Sequence, residues 1–255
     1  MKNVMRITGI IIISMLFTPV PLSGQQLSAY EIVKRCDDKM RGEQTGYSLM
    51  TMQIVRPTWS RTVIFKSWNM GTEYALVLIT DPPKDEGQAF LKRDNDMWNW
   101  NPTINRMIKF PPSMLAQGWM GSDFTNDDLL NQSSIVVDYT HSIIASETVA
   151  NRDCYVIELI PREDAPVVWG KIILWISKSE YLQMKAEYYD EDEYLVKTET
   201  ASEIKTMDGR LIPTRFELIP ADKPGNKTIV VMDEVKFNIS LTESFFSQQN
   251  MQKVR

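Results

Sequence analysis

The sequence predicts a mainly β (α+β) domain in which a single antiparallel sheet curves around a few short helices. Three observations support this fold class. Segments with a two-residue hydrophobic period fill most of the chain after one helical segment, clusters of Gly, Pro, Asn and Asp separate these segments, and no Gly/Ser-rich linker or strong repeat divides them. The 255 residues, 43% of them hydrophobic, suffice for one all-β domain. We therefore expect a single domain over residues 25–255.

The N-terminus has the pattern of a secretory signal peptide. Lys2 and Arg6 precede an almost unbroken apolar run at 7–17, and a helix-breaking segment follows. The run has 11 residues, well short of the roughly 20 that cross a bilayer as a helix. We expect cleavage after Gly24, so that residues 1–24 are removed and the net charge falls from −5 to −7 with the loss of Lys2 and Arg6. Because no cysteine comes directly after the apolar run to be acylated, we expect a soluble exported protein rather than a lipoprotein.

One amphipathic helix is predicted at the start of the mature chain. Ser28, with an acidic residue at Glu31, has the pattern of a capping box. Apolar residues then recur at helical spacing until Gly42. These residues are Ile32, Val33, Cys36 and Met40.

The hydrophobic period changes to two at Tyr47, which predicts a first β-meander. Met50, Met52 and Ile54 occupy one face of the first strand. Turn signals separate the strands that follow. Those strands are predicted at 62–69, 72–80, 88–92, 96–101 and 104–110.

A helical interruption is predicted after this meander. Two prolines at 111–112 end the strand pattern, and residues 113–119 are compatible with a short helical turn. Thr125 is a candidate N-cap, followed by Asp127 and Asp128, whose charges favour the first turn of a helix. We expect two small helices here.

A second meander is predicted for the rest of the chain. Its strands are expected at 135–142, 146–149, 153–160, 167–177, 182–189, 194–205, 211–218 and 228–238. In the last strand, strict alternation places Ile229 and Val231 on the same face as Val235 and Phe237. The acidic run at 190–193 lacks the spacing of an EF-hand loop and is interpreted as a solvated hairpin turn rather than a calcium site.

The composition argues against several classes of function. A net charge of −5 does not favour nucleic-acid binding. One histidine, His141, and two cysteines leave few groups for acid–base, nucleophilic or zinc chemistry. We therefore expect no enzymatic activity, no metal and no cofactor. Cys36 and Cys154 either pair as a disulfide, which an oxidising compartment permits, or stay as separate buried thiols.

Three features carry a resemblance to a known family. The first is the layout of signal peptide, helix, meander, interruption and second meander. The second is Trp98-Asn99-Trp100-Asn101-Pro102 with Arg106 after it, similar to a "W-x-Y-x-P" strand and its basic residue. The third is Gly121–Leu129, similar to a "G-S-D-F-T-x-E-D-L" segment. With these features the chain resembles the LolA-like superfamily of periplasmic lipoprotein carriers, and more closely its branch of outer-membrane lipoprotein-sorting proteins.

The resemblance implies a half-open, LolA/LolB-like β-barrel whose concave face, roofed by helices, holds acyl chains. It implies a monomeric carrier in the periplasm of a Gram-negative bacterium. Its expected partners are lipoprotein or lipid acyl chains, an inner-membrane transporter of the ABC or RND type as donor, and an outer-membrane acceptor. The alternative is an interaction or sensor module that recognises lipoproteins without transporting them.

The residues expected to form the lipid cavity are the aromatic, methionine and leucine side chains between the first meander and the interruption. They are Trp98, Trp100, Met107, Phe110, Met114, Leu115, Trp119, Met120 and Phe124. Two arginines are candidate contacts to the lid or to a headgroup. Arg56 lies in a Val-Arg-Pro sequence similar to the "K-R-P" of the carrier, and Arg106 follows the Trp-rich strand.

Overall fold

The computed structural model describes residues 27–41, 44–94, 96–130, 134–165 and 167–255. The predicted signal peptide, residues 1–24, lies outside the described residues. Within these described ranges, thirteen strands form one sheet. They are β1 (Thr45–Arg56), β2 (Trp59–Met70), β3 (Tyr74–Asp81), β4 (Ala89–Arg93), β5 (Asp96–Asn101), β6 (Arg106–Lys109), β7 (Tyr139–Val149), β8 (Arg152–Pro161), β9 (Lys171–Ser177), β10 (Gln183–Tyr189), β11 (Leu195–Met207), β12 (Arg210–Pro220) and β13 (Lys227–Phe237).

The strand order is β6-β5-β4-β3-β2-β1-β13-β12-β11-β10-β9-β8-β7, with antiparallel neighbours throughout. Two meanders, β1–β6 and β7–β13, are therefore joined where the first strand pairs with the last. The sheet formed by the described strands does not close, and β6 and β7 are its edges. A twisted open sheet of this width curls, so the predicted mainly β fold with one curved antiparallel sheet is confirmed.

Helix α1 (Ala29–Arg41) lies on one face of the sheet, which we call the inner face. The predicted capping box is present: the Glu31 carboxylate accepts from the Ser28 backbone N–H at 2.8 Å, and the Glu31 N–H donates to Ser28 Oγ at 3.2 Å. Ile32, Val33 and Cys36 are buried against β7, β8 and β9. The amphipathic pattern thus fixes α1 over the second meander.

The interruption crosses the inner face from one edge of the sheet to the other. It leaves β6 at Lys109 and enters β7 at Tyr139, and we call residues 110–130 and 134–138 the roof segment. It contains 3₁₀ turns at Pro112–Met114 and Trp119–Gly121 and helix α2 (Asn126–Leu130). Thr125 caps α2, since its Oγ accepts from the Asp128 N–H at 3.0 Å while its own N–H donates to Asp128 Oδ2 at 2.7 Å.

Apolar side chains fill both faces of the sheet. On the inner face of the first meander, a cluster that we call the inner cluster contains Met52, Ile54, Val63, Phe65, Ala75, Val77, Ile79, Phe90, Met97, Trp119 and Val230. On the opposite face, the outer cluster contains Leu76, Leu78, Ala89, Leu91, Phe246, Met251 and Val254. The last three belong to the C-terminal segment, residues 241–255, which carries a 3₁₀ turn (Glu243–Phe245) and α3 (Gln248–Met251). This cover on the outer face was not predicted.

Two strand predictions in the second meander are wrong. In place of strands at 135–142 and 146–149, one strand, β7, begins at Tyr139. The strand starts later than predicted because Ser134 Oγ accepts from the Val136 and Val137 N–H groups, each at 3.3 Å, and holds these residues in a turn. β9 begins at Lys171 rather than 167, since residues 167–170 bend and place Trp169 among the buried side chains of the inner face.

The predicted alternation in β13 is also wrong. Leu49 pairs with Glu234 but Met50 pairs with Met232, so Asp233 is an extra residue at a β-bulge. A one-residue bulge exchanges the two faces of a strand. Val230 therefore lies on the inner face together with Val235, whereas Ile229 and Val231 face outward.

The cysteines lie on opposite faces of the sheet. Cys36, on α1, packs against the inner face, and Cys154 packs with Val156 and Trp175 on the opposite face. Both are free and buried. Burial raises the pKa of the Cys36 thiol to about 12, so neither a disulfide between the two nor a reactive thiolate is supported. No helix in the described part of the chain is both long and apolar enough to cross a membrane.

Candidate functional site

The structure divides the predicted cavity residues between the two faces of the sheet. Those of the roof segment that pack with the inner cluster are Phe110, Leu115, Trp119, Met120 and Phe124. Those that pack with the outer cluster beneath the C-terminal segment are Trp98, Trp100 and Met107. Met114 joins neither group, and its carbonyl accepts from Asn126 Nδ2 at 2.8 Å. The two-residue period explains the division, because Met97 faces inward and its neighbour Trp98 therefore faces outward.

Trp119 is the centre of the contact between the roof segment and the sheet. It is 1% exposed, and its ring lies edge-on to Phe65 at 5.1 Å and to Phe90 at 5.5 Å between centroids. Its backbone N–H donates to the Phe124 carbonyl at 2.7 Å. The roof segment thus inserts an aromatic anchor into the inner face and closes a tight loop around it.

Arg56, the last residue of β1, binds the same loop between Trp119 and Phe124. Its Nη1 lies 2.9 Å from Asp123 Oδ2, and its Nη2 donates to the Gly121 carbonyl at 2.8 Å. Thr228 completes the contact, because its hydroxyl donates to Asp123 Oδ2 at 2.7 Å and accepts from the Asp123 N–H at 3.0 Å. Since the Arg56 and Asp123 side chains are 12% and 7% exposed, this ion pair is shielded from water. Arg106 is exposed on the edge strand β6 and is not part of it.

A second polar contact ties α2 to the other half of the sheet. Lys197, 2% exposed on β11, forms an ion pair with Asp128. Its Nζ lies 4.4 Å from the ring centroid of Trp169 and 4.7 Å from that of Tyr188. Trp169 Nε1 donates to Asp128 Oδ1 at 3.2 Å. Arg56 and Lys197 therefore fasten the middle of the roof segment, in addition to hydrogen bonds near its ends at Phe110 and Val137.

Glu199 lies two residues after Lys197 on β11, so the two side chains project from the same face of the sheet. It is 7% exposed, and Gln183 Nε2 donates to its Oε1 at 2.9 Å. Burial raises the pKa of Glu199 to about 7, although the nearby Lys197 ammonium acts in the opposite direction. Sequence reasoning missed Lys197, Glu199 and Trp169. The one signal available was the alternation of β11, which places both charged residues on the face of Ala201.

Two cavities lie on the inner face under α1. The first, of about 200 Å³, is bounded by α1, α2 and strands β9 to β11, and Glu199, Gln183 and Tyr188 line it. The second, of about 230 Å³, lies over β1, β2 and β13 and is lined by Met50 and Met232. Asp37 and Met40 of α1 border both cavities. This end of α1 therefore lies between the two cavities.

The acidic run at 190–193 forms the turn between β10 and β11. Asp190 Oδ1 accepts from the N–H groups of Asp192 at 3.0 Å and Tyr194 at 2.8 Å. These bonds are those of a side-chain-supported turn, and the predicted hairpin turn is confirmed.

Comparison with known proteins identifies the family. A family model whose description reads "Uncharacterized protein" matches residues 71–253, more than half of the chain. The chain belongs to this family. No curated protein matches the sequence.

Solved structures show the fold of this family member. A DUF1329 family protein from Desulfovibrio piger has a TM-score of 0.79 at 23% identity, covering 88% of this chain and 98% of its own. An outer-membrane lipoprotein-sorting protein domain from Vibrio parahaemolyticus has a TM-score of 0.78 at 21% identity, with coverages of 88% and 98%. A LolA superfamily protein from Nitrosomonas europaea has a TM-score of 0.77 at 23% identity, with coverages of 88% and 100%. The LolA-like fold implied by the resemblance drawn from the sequence is confirmed.

Proposed function

We propose that this protein is a periplasmic carrier that binds the acyl chains of lipoproteins or lipids between the inner face of its sheet and the roof segment. It acts without catalysis or cofactor. The observation that carries the proposal is the roof segment itself, an apolar cover that lies over an apolar sheet face, packs into it through Trp119 and is also held by localised polar contacts. Lifting this cover would expose the apolar sheet face beneath it to a ligand.

The inner face suits flexible ligands. Met50, Met52, Met97 and Met120 lie in or against the inner cluster. Methionine has three rotatable bonds and a polarizable sulfur, so methionine-rich surfaces repack around ligands of varied shape. Each methylene group buried there contributes roughly 0.8 kcal/mol, which gives a chain of many methylenes a large driving force to enter.

The two cavities under α1, of about 200 and 230 Å³, are each smaller than the roughly 300–1,000 Å³ typical of ligand pockets. Larger cavities, of about 380 and 360 Å³, lie beside the roof segment. In this proposal an acyl chain enters the cavities under α1 when the roof segment or α1 moves. Moving Asp37 and Met40 joins the two cavities, and releasing Asp123 from Arg56 frees the first half of the roof segment. In this proposal Arg56 holds the lid closed in the unloaded protein.

The compartment and partners follow from the same proposal. The signal-peptide pattern of residues 1–24 supports export, and the carrier would shuttle its cargo through the periplasm toward the outer membrane. An inner-membrane transporter of the ABC or RND type would supply the cargo and an outer-membrane acceptor would receive it. The name of the Vibrio parahaemolyticus structure, a lipoprotein-sorting protein domain, supports this class of cargo.

Native mass spectrometry with lipid extraction tests the proposal on mature protein purified from the periplasm without detergent. We expect adducts whose masses match acylated molecules. A bare mass that does not change after incubation with lipoprotein or phospholipid would overturn the carrier function and favour the sensor alternative.

A matched pair of phenylalanine variants tests the location of the cargo. Phe124→Ala alters the inner face, and Phe245→Ala alters a partly buried ring of the outer cluster. We expect the first variant to lose acyl adducts at least several-fold and the second to retain them. Equal retention by both variants would contradict a cavity on the inner face.

A further inference from the structure

Exposed hydrophobic side chains collect at one end of the sheet. Because all neighbouring strands are antiparallel, β1, β8 and β12 end where β2, β7 and β11 begin, and we call this end of the sheet the hairpin rim. Within the described ranges, seven of the twelve exposed large hydrophobic side chains lie in the connections of the hairpin rim or within two residues of them. They are Trp59, Ile104, Val137, Ile160, Tyr194, Leu195 and Ile219. By the same measure the opposite end carries two, Ile108 and Leu211.

Two of the seven are aromatic side chains that carry a polar atom. Trp59 is 50% exposed and Tyr194 is 71% exposed, whereas the other six tryptophans are buried or half-buried. Trp and Tyr are enriched at membrane–water interfaces, because the ring is apolar while its N–H or O–H group bonds to water and headgroups. The side-chain types of the hairpin rim are therefore those that favour the boundary between lipid and water.

The charges of the hairpin rim disfavour an anionic partner. The acidic run at 190–193 comes directly before Tyr194, and of its carboxylates that of Glu193 pairs with Lys171 at 3.3 Å. Basic residues at this end stand singly, as Arg106 and Lys223 do beside separate connections. Attraction to anionic lipids requires clusters of Lys and Arg. A lipid surface with neutral, zwitterionic headgroups therefore fits the hairpin rim better than an anionic one.

The seven side chains are spread along the hairpin rim rather than gathered in one groove. Ile104 lies beside the edge strand β6, and Val137 precedes the other edge strand, β7. Trp59 and Tyr194 lie on hairpins between these edges. A row as wide as the sheet matches an extended surface, whereas a small ligand would cover only one part of it.

The hairpin rim adjoins the candidate functional site. A cavity of about 360 Å³ lies between Asp123 of the roof segment and the strand ends that carry Tyr194 and Pro220. The Trp59 ring centroid lies 5.8 Å from the guanidinium carbon of Arg56, which binds the roof segment. A surface that contacts Trp59 and Tyr194 is therefore next to this cavity and to one fastening of the roof segment.

We propose that the hairpin rim docks on the surface of a zwitterionic lipid bilayer, with the rings of Trp59 and Tyr194 at the level of the headgroups. This contact goes beyond the proposed function, because it is a lipid surface that the protein binds without another protein. In an acyl carrier, docking in this orientation would place the cavity of about 360 Å³ beside the bilayer that supplies or receives the chain.

Vesicle flotation of the mature protein tests the docking. The probes are vesicles of phosphatidylcholine alone and of phosphatidylcholine mixed with phosphatidylglycerol, each at low and high salt. We expect the wild-type protein to float with phosphatidylcholine vesicles, with no gain from phosphatidylglycerol and no loss at high salt, because the contact is apolar. Trp59→Ser combined with Tyr194→Ser should weaken binding about tenfold or more. Leu211→Ser, at an exposed side chain of the opposite end, is the matched control and should bind as the wild type does.

Tryptophan fluorescence locates the contact. Phosphatidylcholine with brominated acyl chains quenches a tryptophan that enters the bilayer surface. We expect quenching in the wild-type protein and its loss in Trp59→Phe, which should keep vesicle binding within about twofold because the apolar ring is retained. Equal quenching in both proteins would place another tryptophan at the bilayer and overturn the orientation.

The flotation outcomes also decide between occupants of the hairpin rim. Failure of the wild-type protein to bind phosphatidylcholine vesicles would overturn the docking, as would equal losses in Leu211→Ser and the double variant. Binding that requires phosphatidylglycerol and disappears at high salt would assign the contact to charge and overturn it as well. A dimer that the wild type forms and the double variant does not would assign the hairpin rim to a second copy of the chain.

Native mass spectrometry keeps the docking separate from the proposed function. Protein that floats with vesicles but carries no acyl adduct would support docking and overturn carriage. Protein that carries acyl adducts but does not float would support carriage and overturn docking.

Discussion

At the scale of single residues, the burial of Glu199 makes stability depend on pH. Its pKa is about 7 in the folded protein against an ordinary value of 4.5. Between these values the folded protein holds a proton that the unfolded chain has released, so stability falls as pH rises through this window. We expect Glu199→Gln to gain stability over wild type between pH 5 and pH 8, by up to about 3 kcal/mol.

Urea unfolding at the two pH values measures this gain. Glu203→Gln is the control, because Glu203 is exposed and should change stability equally at both pH values. Parallel stability–pH curves for wild type and Glu199→Gln would contradict the assignment.

Contacts between residues a few positions apart could be predicted from the sequence, whereas contacts between distant segments could not. The Ser28–Glu31 capping box and the Thr125 cap span three residues, so the sequence contains both partners. Lys197 meets Asp128, which lies 69 residues away. Nothing near Lys197 in the sequence indicates that an α2 carboxylate will cover it, so this contact required the fold.

At the scale of elements, Arg56 controls the first half of the roof segment. Arg56→Ala leaves the Asp123 carboxylate shielded from water without its cation, which costs on the order of 3 kcal/mol. We expect backbone amides of the loop, such as those of Trp119 and Asn126, to exchange with deuterium up to roughly a hundredfold faster. Hydrogen–deuterium exchange with mass spectrometry measures this change.

Arg61→Ala provides the matched control for that experiment. Arg61 also forms a part-buried ion pair, but its partner is Asp85 in the connection between β3 and β4 rather than a residue of the roof segment. Its loss should leave exchange in the roof segment unchanged. If both variants accelerate exchange there equally, Arg56 has no specific role in fastening the cover.

The C-terminal segment stabilises the outer face of the sheet. Phe246 is fully buried there and packs beside Tyr74, with 5.6 Å between ring centroids. We expect Phe246→Ala to lower the free energy of unfolding by roughly 3–5 kcal/mol, measured by urea denaturation. Phe245→Ala, at a partly buried ring, should cost clearly less, and equal costs would contradict the packing described.

Strand β13 shows where prediction from hydrophobic periodicity fails. Periodicity found the strand, but the bulge at Asp233 exchanged its faces halfway along. A bulge depends on the partner strand, which for β13 is β1 at the opposite end of the sequence. The same limit explains why Trp98 and Trp119, close in sequence, belong to opposite faces.

At the scale of the whole molecule, the sheet separates the two thiols. Cys36 and Cys154 lie on opposite faces, so the native protein should contain no disulfide. We expect two alkylated thiols when the protein is denatured without reductant, and an identical thermal midpoint with and without dithiothreitol. An unalkylated pair, or a midpoint that falls on reduction, would contradict the separation.

The strand order could largely be predicted from the sequence because a meander pairs strands that follow one another along the chain. Each hairpin joins neighbours in sequence, so alternating patterns and turn residues indicate both the strands and their order. The pairing of β1 with β13 and the cover over the outer face are long-range features. They depend on the curvature of the complete sheet, which no single segment encodes.

The attachment of the roof segment to both edges of the sheet limits how the protein can open. A cover joined at one end can swing away, but this one continues into β6 on one side and β7 on the other. It can only bow outward or let the distance between β6 and β7 change. In the proposed carrier a ligand would therefore enter beside the roof segment, and a bulkier ligand should increase the distance between these two edge strands.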